Sequence, residues 1–163
     1  MRETAMQLFT DYAFYLVFLH VLGAIVWVGG MIGMRVAVHP GLQHIEDPKK
    51  RMARTLEIVR NLFMLVAPFI VLILLTGLVM GLAVGVPGTP MGTVVYIKEG
   101  VWTLMTLNYA MMVWRRNKAE RYFVGGDLAG ARAMMAPIPN LMLPVNIALG
   151  ILALVLGIAL RGF

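Results

Sequence analysis

The sequence predicts an all-α integral membrane protein, a single domain over residues 1–163 folded as an antiparallel four-helix bundle. Three observations predict it. Hydrophobic residues make up 60% of the 163 and charged residues only 13%, whereas a soluble domain is roughly 45–50% apolar. Apolar runs long enough to cross a hydrocarbon core of about 30 Å recur four times. Basic residues gather in two of the three connectors.

The first span runs from about 12 to 38 and meets no charge until Arg35. A cleavable leader is a poor reading of it, because Glu3 follows Arg2 at once and the apolar stretch is too long. Asp47 and Pro48 form a helix start, a capping carboxylate before a proline in the first turn. From there an amphipathic run leads into the second span, about 60–84, which contains Pro68. A proline at that depth removes one backbone hydrogen bond and is tolerated when neighbouring helices supply partners.

The residues from Gly85 to Pro90 read as a turn-rich connector. The third span, about 94–114, ends at Arg115 and Arg116. Asn117 to Phe123 extend it by a turn or two before Gly125, Gly126 and Asp127 break it. Leu128 to Met135 form a short interfacial helix ahead of Pro137 and Pro139, and the fourth span occupies about 140–160. Long first and second helices and this short helix before the last span complete the outline.

Of the 14 Lys and Arg residues, eleven lie in or beside the first and third connectors. By the positive-inside rule those connectors face the cytoplasm, and both termini and the second connector lie outside. The predicted location is the inner (cytoplasmic) membrane, multi-pass, with the lipid bilayer as main partner. The net charge of +6 is thereby accounted for by topology, and no nucleic-acid partner is expected. With no cysteine in the chain, thiolate metal sites, disulfides and covalent c-type haem are excluded. No hydrolase elbow, zinc-protease motif or phosphate loop is present.

Ionisable groups inside an apolar span are costly and are functional candidates by default. His20 and Lys98 qualify, and the topology puts both in the outer half of the membrane, where they can share one site. Counting by three and four from His20 gives Gly23, Trp27, Gly30 and Met31 on one face. That face suits either a planar cofactor, with His20 as axial ligand, or a helix-packing seam with His20 as an interhelical hydrogen-bonding group. Lys98, Trp102 and Met105 share a face of the third span. The lysine either meets an acidic group such as a haem propionate or snorkels to the outer interface. His39 is 19 residues beyond His20, close to a membrane thickness away at ~1.5 Å per residue, so the two cannot hold one metal together. His39 is retained as a second candidate metal ligand, with solvated loop as the plainer reading. The 14 methionines suit Cu(I) but also ordinary core packing.

Leu19, His20, Trp27, Gly29, Gly30 and Met31, followed by Arg35 and His39, resemble the first helix of the CopD (copper-resistance-D-like) and HemJ-type four-helix membrane proteins. Arg60, Pro68, Thr76 to Leu78, the solitary Lys98, and Asn140 to Pro144 follow in the same order as in that family. The resemblance implies haem b with His20 as axial ligand and Lys98 at the family's lysine position. The expected function is a small membrane cytochrome b with an electron-transfer or oxidoreductase role. A membrane or periplasmic redox partner and a homo-oligomer are the implied associations. Copper handling of the CopD type is the alternative. Protoporphyrinogen oxidation of the HemJ type ranks third, because Asn108 and Tyr109 stand where that pattern has a Tyr-His pair.

Overall fold

The computed structural model describes residues 2–84 and 90–160; the predicted connector from Gly85 to Thr89 lies outside them. The described residues are helical almost throughout and contain no strand. The first rod is built of α1 (Arg2–Ala24), a π turn (Ile25–Gly29), α2 (Gly30–Gly33), a second π turn (Met34–Val38) and α3 (His39–Gln43). It starts ten residues before the predicted span, and the backbone of Tyr12, at φ −127° and ψ 20°, kinks it where that span was expected to begin. The second rod is α4 (Pro48–Val84) and the third is α5 (Pro90–Val124). The fourth combines α6 (Leu128–Met135), a π turn (Ile138–Met142) and α7 (Leu143–Ala159).

Caps sit where the sequence places them. Asp47 Oδ1 accepts from the backbone N–H of Lys49 at 2.8 Å and of Lys50 at 3.2 Å, two donors that the first turn of α4 would otherwise leave unpaired. Those amides, Lys50 foremost, hold the Asp47 carboxyl below its ordinary range. Asp127 caps α6 in the same way through Gly130 N–H at 2.8 Å.

Three helical stretches are long and apolar enough to cross a membrane: Glu3–Gln43, Pro48–Ala83 and Leu128–Ala159. Their outer surfaces carry large exposed apolar side chains, among them Phe14, Val36, Met64, Leu141 and Ile158, a surface suited to lipid rather than water. The span predicted at 94–114 is not among the three. It is long enough, since α5 has 35 residues, but Lys98, Glu99, Thr103, Thr106 and Asn108 make it too polar by composition.

Asn108, with Tyr109 and Trp102, binds α5 to its neighbours, whereas the Thr103 hydroxyl donates to the Glu99 carbonyl within α5. Asn108 donates to the Met142 carbonyl at 2.8 Å and to Asn146 Oδ1 at 2.7 Å. Asn146, fully buried, donates back to the Met105 carbonyl at 3.2 Å. Tyr109 donates to the Phe63 carbonyl at 2.7 Å and Trp102 reaches the Ile70 carbonyl at 3.4 Å. These last two brace α4 on either side of Pro68, within a helix that passes through the proline unbroken. Where lipid replaces water, association of helices depends on such bonds and on close packing more than on apolar burial. The core they enclose centres on Trp27, Met31, Val66, Met112, Ile138 and Leu143.

The extension expected after Arg116 is present, α5 running two turns beyond it, but the Arg116 side chain, read as a cation closing the span, is buried. Its guanidinium forms a two-pronged pair with Glu120, at 2.6 and 2.9 Å, and donates twice to the Leu56 carbonyl at 3.2 Å. A buried charge needs this degree of satisfaction to be tolerated.

Candidate functional site

His20 lies on α1 and Thr76 on α4, and their side chains meet with Nδ1 2.9 Å from Oγ1. The Thr76 hydroxyl also lies 2.7 Å from the Leu72 carbonyl and 3.2 Å from the Ile73 carbonyl of its own helix, so its single proton can go to either carbonyl or to Nδ1. With that proton on a carbonyl, the hydroxyl oxygen accepts from Nδ1–H and Nε2 keeps its lone pair, the tautomer in which a histidine can ligate through Nε2.

Lys98 on α5 comes to the same end of the molecule. Gly77 lies against His20, and Gly81, one turn further along α4, lies against Val95, one turn before Lys98; both His20 and Lys98 are half-buried. Gly77 and Gly157 leave room for the pair. A Cβ on Gly77 would stand 3.5 Å from His20 Cε1, and one on Gly157 would stand 3.2 Å from Lys98 Nζ. Four helices therefore contribute to this end of the molecule in two contacts, His20 with Thr76 and Gly77, and Lys98 with Gly157.

The remaining face of the first rod is occupied by protein. A Cβ on Gly23 would lie 2.7 Å from Ile73 Cγ1, and one on Gly30 would lie 3.1 Å from Leu62 Cδ1. Both glycines thus serve close approach of α4. Trp27, Met31 and Met105 are buried in the core and Trp102 packs against it. Trp27 Nε1 and Thr106 Oγ1 are buried with no hydrogen-bond partner among the described residues. A macrocycle does not fit among these side chains, whereas the donor nitrogen of His20 and the amine of Lys98 stand at the margin of the bundle. His39 sits at the other end of the rod, on the wall of a separate cavity. Among the described residues, no three His, Cys, Asp or Glu side chains converge.

Thr76 is the site residue that sequence reasoning passed over. A Thr-Gly pair is visible in the second span, but only the facing of α1 on α4 reveals that its hydroxyl reaches His20. Comparison with protein-family models, with curated proteins and with solved structures finds no match to this chain.

Proposed function

We propose that the chain is a b-type haem protein of the inner (cytoplasmic) membrane, a small cytochrome with a redox role. Its four rods form an antiparallel bundle with both termini outside. His20 with Thr76 and Gly30 with Leu62, Phe63 with Tyr109 and Ile70 with Trp102, and Met105 with Asn146 and Asn108 with Met142 support that topology, since rising residue numbers on each rod meet falling numbers on the next. The inward bonds of Asn108, Tyr109 and Trp102 support α5 as a fourth span.

The observation that carries the haem reading is the contact of His20 Nδ1 with the Thr76 hydroxyl, which leaves Nε2 the ring nitrogen without a hydrogen-bond partner among the described residues. His20 would hold the iron through Nε2, and Lys98 would neutralise a propionate. The ring would be held at the margin of the bundle, because the face around Gly23, Gly30 and Met31 is closed by α4. When bound, haem supplies one-electron exchange between ferric and ferrous iron. The chain's part is to orient the imidazole, keep its proton on Nδ1 and present a cation. A second axial ligand from another copy of His20 would make the site dimeric, and electron transfer requires a redox partner at the membrane.

Purified from cells supplied with haem, the protein is expected to show a Soret band and a reduced-minus-oxidised difference spectrum. His20→Ala abolishes both, and Thr76→Val weakens haem retention. Absence of the band, or a band unchanged in His20→Ala, overturns the reading. Copper at near one equivalent without haem absorption would replace it with copper handling of the CopD type. Protoporphyrinogen oxidation would require turnover of that substrate by the haem-loaded protein.

A further inference from the structure

A cavity of about 260 Å³ opens between the first rod, the start of α4 and the α6–α7 corner, at the end remote from His20. It is smaller than the roughly 300–1,000 Å³ of sites that enclose drug-sized ligands, and far too small to enclose a macrocycle. Its lining divides into two parts. Met52, Met135 and Leu143 give it an apolar floor, while Arg51, Arg132 and His39 stand on its wall.

No carboxylate lines it among the described residues. The two ion pairs among those residues, Arg54 with Glu57 and Arg116 with Glu120, involve neither cavity arginine. Arg51 makes only a long contact, 3.4 Å, with the Gln43 carbonyl, and Arg132 is exposed. Asp47, the nearest acid in sequence to Arg51, is engaged by the backbone of Lys49 and Lys50. Two guanidinium groups over an apolar floor are thus left without a counter-ion. An anion would satisfy them, and an anion attached to a hydrocarbon chain would satisfy the floor as well. Basic pockets between membrane helices on the cytoplasmic side select anionic lipid head groups for this reason.

We infer that this cavity is a binding site for an anionic phospholipid of the inner leaflet, its phosphate held by Arg51 and Arg132 and an acyl chain lying on Met52, Met135 and Leu143. The inference uses the membrane orientation given above and is independent of haem at His20, which sits at the opposite end of the rod.

The test is native mass spectrometry of the full chain, delipidated in detergent. Phosphatidylglycerol and phosphatidylcholine are offered at equal concentration, and inorganic phosphate is offered in a separate arm. The expected result is retention of phosphatidylglycerol over phosphatidylcholine. Retention falls about five-fold for each of Arg51→Gln and Arg132→Gln, and Arg121→Gln, which removes the same charge away from the cavity, leaves it unchanged. Far-ultraviolet circular dichroism confirms that each variant keeps its helices; if one of the two cavity variants does not fold, the other is judged by the same criterion. Equal retention of the two lipids overturns the inference. So does an equal loss in Arg121→Gln, which would mark a general surface charge effect. Binding of inorganic phosphate with displacement of the lipid would overturn the lipid assignment and mark a free-anion site. A loss of the haem spectrum alone leaves these outcomes unaltered.

Discussion

Lys98 and Gly157 are fitted to one another: the amine on α5 lies 3.2 Å from the point where a side chain on α7 would begin. The glycine leaves the long lysine room to lie against α7. Replacing Gly157 with leucine is expected to push the amine out of the site. Labelling of Lys98 by a water-soluble amine reagent then rises above the wild-type level while helicity is retained. Unchanged labelling would show that Gly157 does not seat the lysine.

Gly150 is the tightest crossing between the fourth and first rods. A Cβ there would stand 2.5 Å from Val28 Cγ2 and 3.2 Å from its Cγ1, and a β-branched side chain has little rotamer freedom with which to yield. Gly150→Ala is expected to cost roughly 1–3 kcal/mol through overpacking. Gly29→Ala is the control, since nothing lies within 4 Å of its Cβ position. Thermal or denaturant unfolding in detergent compares the two.

Thr106 offers the opposite case. Its hydroxyl is buried with no partner among the described residues, and an unsatisfied buried polar group costs about 1–3 kcal/mol. Thr106→Val keeps the shape and removes the hydroxyl, so it is expected to raise the unfolding midpoint. A lower midpoint would show that the hydroxyl has a partner in the membrane.

Asp47 gives the start of α4 a pH dependence. Its folded carboxyl is held below the ordinary range by the Lys50 and Lys49 amides, so its cap is fully present above the unfolded pKa and lost as pH falls through the folded one. Acid titration of unfolding is expected to show this loss in the wild type, and Asp47→Ala to remove it while lowering the midpoint at neutral pH.

The four rods, the Asp47 cap and the buried face of Gly23, Trp27 and Met31 were legible in the sequence because each is a local pattern of apolar spacing or capping chemistry. What that face packs against was not legible. Ile73 and Leu62 fill the space at Gly23 and Gly30, and nothing in the spacing of α1 distinguishes a neighbouring helix from a ring. Arg116 shows the same limit. An Arg-Arg pair after an apolar run looks like a membrane boundary, and only the Leu56 carbonyl and Glu120 explain why one of the two turns inward. His20 and Lys98 were singled out by their cost in an apolar span, yet the hydroxyl that orders the imidazole lies 56 residues away in sequence.

The π turn at Ile25–Gly29 separates the part of the first rod that carries His20 from the part that carries Met31. A wide turn of this kind holds one residue more than ordinary helical winding needs. Deleting one residue within it would let the backbone relax to i→i−4 bonding while His20 still faced Thr76 and Met31 still faced the core. The same deletion in the regular stretch before it would swing one half against the other by about 100°. The first rod therefore has a place where its length can change by one without uncoupling the histidine from the core, which the regular helix of α1 before it and α2 after it do not offer.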